Sequence, residues 1–283
     1  MTILDTLQKI GWSRAARTDK GVHAVANFVN CKLALTNNFL KEEEEKAEAE
    51  KPETETADKE VNKLKDKERI DWAKVVNVIN ANLPSSIRVL SKYINYPKSN
   101  FCAATKRITK VFDVKLSARS RIYEYLGPVS MFVKDPTNIT AEVEQETLER
   151  LRTLSQKFKG THNFHNYTNK MRASDPKAQR YIMQFDCNLV DFGEQGRFYK
   201  FRIQGQSFIY HQIRKMIGIM VQVIHEGLKD GFIDNSFFQN SVNIWLAPPQ
   251  GLLLDGVTFD AYNRKNDIPE KIEFNEEEVN LVC

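Results

Sequence analysis

Long apolar runs are missing from this sequence. No stretch of about 18 apolar residues occurs, which excludes a membrane-spanning helix. The segment from Met1 to Ile10 is too polar, and its apolar run too short, for a secretory signal. Cysteine is sparse: Cys31, Cys102, Cys187 and Cys283 lie far apart with no metal-ligand spacing. They are expected to be reduced, partly buried thiols of a chain that stays inside the cell. A thiol nucleophile needs a neighbouring base, and only Cys31, eight residues after His23, has a histidine close by in sequence. Histidine is scarce too. His162 and His165 have ligand-like spacing but no evident third partner, so no metal is expected. No internal repeat is visible.

What is there is material for a core. The 283 residues are 41% hydrophobic and include 17 Phe, 9 Tyr and 3 Trp, enough for one large domain or two of ordinary size. The net charge of +4 understates how basic the folded part is. Residues 41–70 hold 12 acidic and 8 basic side chains, so the rest carries 33 basic against 25 acidic residues, a net +8. That balance suits a phosphate-rich partner, although solubility alone also accounts for it. Residues 41–68 have almost no apolar side chain; they are expected to form a disordered, solvated insertion that carries no chemistry.

Periodicity sets out the remaining elements. Trp72, Val75, Val76 and Ile79 recur at helical spacing, and Asn82-Leu83-Pro84 ends that helix. Strands are expected over Val25–Leu33 and Ile122–Leu126, and a helix over Val143–Phe158. Tyr181, Met183, Phe185, Cys187 and Leu189 alternate with period 2, and the turn Asp191–Gly196 leads into a second strand, Arg197–Ile203, making a hairpin. A long helix is expected from about Ser207 to His225. Hairpins with helices on one face give an α+β class, with mixed or antiparallel sheets. The chain divides into an N-terminal half, 1–111, a second half, 112–265, and a polar tail, 266–283, with the break near Thr109–Asp113.

Four polar clusters stand out. In Arg14 to Ala24, Asp19 precedes Gly21 in a tight-turn pattern, flanked by Arg14, Arg17 and Lys20. The loop can hold a carboxylate rigidly and attract phosphates, or be a basic surface turn. In Gly160 to Asn169, His162 and His165 fit stacking and hydrogen bonding to RNA better than a metal. In Gly205 to Met216, His211, Arg214 and Lys215 share a helix face among apolar residues, where a buried arginine wants a carboxylate or phosphate. In Arg119 to Tyr125, Arg119 and Arg121 stand beside Tyr123 and Tyr125, a pattern for base stacking next to phosphate contacts.

Together these stretches resemble the TruA-like tRNA pseudouridine synthases, specifically the eukaryotic branch. The family signature Arg-Thr-Asp-x-Gly-Val-His is matched by Arg17-Thr18-Asp19-Lys20-Gly21-Val22-His23. Further similar runs follow in order: Ile79–Pro84, Phe112-Asp113 with Ser117–Tyr125, Gly160–Thr168, Gly205–Gly218, and Ala247-Pro248 with Gly251–Leu254. The resemblance spans about residues 14–262, apart from the acidic insertion. It implies two similar α+β halves around a basic cleft, no cofactor, and Asp19 as the catalytic carboxylate. It implies Arg17 assisting nucleotide flipping, Tyr123 stacking on the target uracil and Arg214 pairing with Asp19. Arg14, Lys20, His23, Arg119, Arg121, His162, His165, His211 and Lys215 are further candidate RNA contacts. The expected partner is tRNA, with small nuclear and messenger RNA as further candidates, acting as a monomer, in the nucleus ahead of the mitochondrion. One departure is that the family's opening strand, with its Tyr-Asp-Gly-Thr-like run, has no counterpart before Arg17, which leaves a sheet edge without its neighbour.

Three other readings compete with this one. A noncatalytic RNA-binding relative would keep the cleft without the reaction. A glycosidase needs paired carboxylates, and none accompanies Asp19 in sequence. An adaptor using the acidic insertion as its interface leaves the four polar clusters without a purpose.

Overall fold

The computed structural model describes residues 11–33, 37–39, 70–89, 93–95, 106–108, 112–169, 171–238, 241–266 and 272. The acidic insertion, residues 109–111 of the break expected near Thr109–Asp113 and nearly all of the tail lie outside them.

The strands are β1 (Ser13–Arg14), β2 (His23–Ala24), β3 (Val29–Asn30), β4 (Tyr93–Asn95), β5 (Lys106–Ile108), β6 (Ser120–Pro128), β7 (Gly160–Asn163), β8 (Gln179–Asp191), β9 (Arg197–Gly205) and β10 (Leu252–Thr258). The helices are α1 (Trp72–Ala81), α2 (Ala141–Gln156), α3 (Gln212–Glu226), α4 (Gly231–Asn235) and α5 (Asp260–Lys265). Six strands form one sheet in the order β2-β10-β6-β9-β8-β7. Its pairs are antiparallel except β2 with β10, which is parallel, so the class is α+β with a mixed sheet. Two further pairs, β1 with β3 and β4 with β5, stand outside it.

Alternation along the strands divides the sheet into a dry and a wet face. Tyr123 and Tyr125 of β6 and Tyr199, Phe201 and Ile203 of β9 are buried on the dry face. There α2 and α3 cover them. Leu148, Leu151 and Leu154 of α2 fall on one buried side, Thr140 caps its first turn, and Tyr199 donates its hydroxyl to Glu144 O at 2.8 Å. The Ser155 hydroxyl lies 3.8 Å from the Met220 sulfur, joining α2 to α3. On the wet face Glu124 accepts from both Lys200 and Arg202, and Arg202 also reaches Asp255, a four-charge ladder across three strands.

Two expected elements differ. The strand over Val25–Leu33 contracts to the two residues of β3, because the main sheet keeps the chain only as far as the pairing of Ala24 with Leu254, and Val29 joins the separate pair with Arg14. The long helix begins at Gln212 rather than Ser207. The Gln212 side chain accepts from Ile209 N at 2.9 Å, closing the preceding loop, and His211 sits at φ 67. Its far end stops at Gly227, in the left-handed conformation glycine adopts at little cost.

Candidate active site

The loop bearing Asp19 is strung between two very short strands. β1 leads into it, paired with β3, and β2 leaves it, paired with β10. Ala15 N donates to Phe28 O at 2.9 Å, and Asn27 bonds both the N–H and the carbonyl of Ala16. Asp19 O accepts from Val22 N at 3.1 Å, closing a turn in which Gly21 takes φ +81. A side chain at Gly21 would be strained there and would press on the Pro249 ring.

The loop forms one wall of a pocket of about 470 Å³, within the usual size of small-molecule sites. Arg17, Asp19 and Lys20 line it from the loop, Tyr123 from β6, and Phe208 to Arg214 from the entrance to α3. Asp19 is one-fifth exposed. Tyr123 is buried and meets Phe208 edge-on at 5.3 Å. Burial pushes its phenol up to about 12; nearby Arg121 opposes that shift and Asp19 adds to it. The phenol is therefore neutral at physiological pH.

Arg214 is buried in the same pocket, but the ion pair expected between it and Asp19 is not formed. Its Nε donates to Ala247 O at 2.7 Å, which draws the guanidinium toward that segment. His211 stands beside Asp19 instead, its Nε2 4.0 Å from Oδ2, a contact that becomes an ion pair only when the imidazole is protonated. His211 stacks on Tyr210 with ring centres 3.7 Å apart, and its Nδ1 is buried without a hydrogen-bond partner. Desolvation lowers its pKa; Asp19 counteracts this, while Arg214 and Lys215 reinforce it. Among the described residues His211 alone has a positive φ without being glycine.

The other expected contacts are distributed differently. Arg14, His23 and Arg119 are exposed and do not line the pocket. His162 stacks on Phe237 and bonds Lys159 O, and buried His165 bonds the Asn163 side chain; both are outside the pocket lining. Lys215 donates to Asn166 O and Thr168 O, fastening α3 to the loop after β7. Arg121 spends its guanidinium on backbone carbonyls of Ala15, Lys115, Ala118 and Gln206. Among the described residues no three histidines, cysteines or carboxylates converge as metal ligands. Thr18, Val22, Phe208, Ile209 and Leu252 also line the pocket; the sequence placed them in family-like runs but gave them no site role, because their residue types are shared with ordinary core and loop positions.

Comparison with known proteins adds to the geometry. The profile of a family described as tRNA pseudouridine synthase matches residues 154–260. The human protein named pseudouridylate synthase 1 homolog is 31% identical over 280 residues, covering 97% of this chain and 54% of that protein. The mouse protein of the same name is 30% identical over 278 residues, covering 96% and 54%. The Saccharomyces cerevisiae protein named tRNA pseudouridine synthase 1 is 26% identical over 340 residues, covering 92% and 54%. The chain spans about half the length of these relatives.

Proposed function

We propose that this chain, which belongs to the tRNA pseudouridine synthase family, isomerises uridine in tRNA to pseudouridine with Asp19 as the reacting carboxylate. The observation that carries the reading is the pocket itself. One carboxylate shares the pocket lining with a neutral, buried tyrosine ring and with the cations Arg17, Lys20 and Arg214.

The reaction breaks the N1–C1′ bond of the nucleotide, turns the base, and joins C5 to C1′; the C5 proton is lost and N1 ends protonated. A fixed carboxylate serves either as nucleophile at C1′ or as base toward the 2′ proton. The target base must first leave its stack. In this reading Tyr123 offers a ring for it to rest on, Arg17 assists the flipping of the nucleotide, and Arg214 stabilises negative charge in the pocket. Residues 1–111 and 112–265 are read as two similar halves closing a basic cleft around this site. Small nuclear and messenger RNA are candidate substrates beside tRNA.

The test is Asp19→Asn, with uridine conversion and tRNA affinity measured on one preparation. Conversion should disappear. Affinity should hold or rise, because a negative charge leaves a phosphate-binding cleft. Substantial conversion by the variant would overturn the role of Asp19. Binding without conversion by the unaltered chain would leave a binding protein instead of an enzyme.

A further inference from the structure

Arg121 lies on β6 two residues before Tyr123 and, in sequence, has the look of a phosphate ligand. A guanidinium has five N–H donors. Here every one is directed at a backbone carbonyl. Nε and Nη2 donate to Ala15 O at 3.2 and 3.0 Å, and Nη2 also reaches Lys115 O at 3.1 Å. Nη1 donates to Gln206 O at 2.9 Å and to Ala118 O at 3.5 Å. No donor is left for RNA.

The carbonyls belong to segments that approach the pocket from different sides. Ala15 stands four residues before Asp19. Gln206 stands five residues before His211 and opens the run that carries Phe208 and Arg214 into the pocket. Lys115 and Ala118 hold the turn that starts β6, itself tightened by the Asp113 side chain on Lys115 N and Leu116 N. The Asp19 loop has little ladder to steady it, since β1 and β2 are two residues each.

We propose that Arg121 is a positioning residue for uridine isomerisation: one side chain fixes the Asp19 loop, the Tyr123 strand and the His211–Arg214 segment relative to one another. The proposal rests on the reading of Asp19 as the reacting group. A misplacement of about 1 Å costs on the order of 10²-fold in rate, so the tie is felt in turnover rather than in binding. Lysine keeps the charge but cannot span four separate carbonyls.

The experiment compares Arg121→Lys and Arg121→Gln with the unaltered chain. It measures kcat and KM on transcribed tRNA, the salt dependence of tRNA affinity, and hydrogen exchange across the chain. Both variants are expected to lose roughly 30-fold or more in kcat, with KM and the salt slope unchanged. Amides of residues 15–22 should exchange roughly tenfold faster, while β8 and β9 stay as protected as before. Weakened affinity with a shallower salt slope would make Arg121 a phosphate contact and overturn the proposal. Equal loss of protection in β8 and β9 would overturn it too, making Arg121 a general fold residue. Unchanged exchange at residues 15–22 would do the same. The exchange measurement needs no activity, so a chain that converts no uridine would sink the functional reading while the tie to the Asp19 loop is still decided.

Discussion

His211 holds its imidazole Nε2 4.0 Å from Asp19 Oδ2 while its own backbone sits in the left-handed region, at φ 67. Such a conformation costs a non-glycine residue of order 1–3 kcal/mol and persists where the surroundings over-determine it. Here the Gln212 cap, the Tyr210 ring and the pocket wall do so.

The expected outcome for His211→Asn is a folded protein, because asparagine accepts the left-handed region, with stability within about 1 kcal/mol. Conversion should fall, since the Asp19 neighbour is gone. His211→Val should cost roughly 1–3 kcal/mol, as a β-branched residue is strained there. Burial lowers the His211 pKa below its ordinary 6.5, against Asp19 and with Arg214 and Lys215. The neutral ring therefore contributes stability that is present above pH 6.5 and is lost as pH falls through the depressed folded value. Denaturant midpoints at about pH 7.5 and about pH 5 check this: the unaltered chain should lose more on acidification than His211→Asn. Equal losses would show that His211 does not titrate as described.

Arg214→Lys should impair turnover although the charge is retained. Lysine cannot keep the Nε bond to Ala247 O and still present donors to the pocket. A loss on the order of tenfold or more in kcat, with tRNA affinity little changed, is expected. Equal losses in both would mark a phosphate contact, and full activity would show that the fork geometry is irrelevant.

Tyr123→Phe should be mild. The phenol is neutral, and the ring edge against Phe208 is kept. Tyr123→Ala should remove both the buried ring and a stacking surface, with base stacking alone worth about 1–3 kcal/mol. Because burial raises the Tyr123 pKa to about 12, its contribution to stability is complete below pH 10 and is lost as pH rises through the folded value. An alkaline limb in the activity profile near neutrality therefore has another origin. A Phe variant as inactive as the Ala variant would give the hydroxyl a chemical role.

Gly218→Ala tests packing around Arg214. Alanine favours a helix over glycine by about 1 kcal/mol. A Cβ at this position, however, would overlap the Trp245 carbonyl oxygen. That segment cannot easily move, since Ala247 N donates to Arg214 O and Arg214 Nε donates to Ala247 O. A net loss of about 2 kcal/mol in urea unfolding is expected, with reduced conversion as Arg214 shifts. A stabilised variant would show that the segment carrying Trp245 yields.

Much of the second half was legible in sequence because its signals are local. The alternation from Tyr181 to Leu189 and the turn at Asp191–Gly196 specify the β8–β9 hairpin, and the leucines from 148 to 154 specify α2. The loop before α3 was not legible. Phe208, Ile209 and Ile213 continue the apolar spacing of the helix, whereas the break comes from a side-chain cap and one left-handed residue. β3 shrank because Val25 to Leu33 has strand-like composition, while its pairing depends on partners distant in sequence. Of the polar clusters, Asp19, Arg17, Tyr123, His211 and Arg214 meet in one pocket. Arg121 and Lys215 turn inward to carbonyls, a choice set by tertiary contacts that residue type does not encode.

The wet face of the sheet has a consequence for encounter. Lys200 and Arg202 are both committed to Glu124, and Arg202 also to Asp255, so two cations are matched by two anions. A polyanion approaching from that side meets a patch with no excess of cations, since Asp186 also stands across from Arg202. On the pocket side Arg17, Lys20 and Arg214 outnumber Asp19. Under the proposed function, this asymmetry sorts collisions with RNA by orientation before any base is read. Raising salt should blunt that sorting and slow productive association more than it slows the bound complex's turnover.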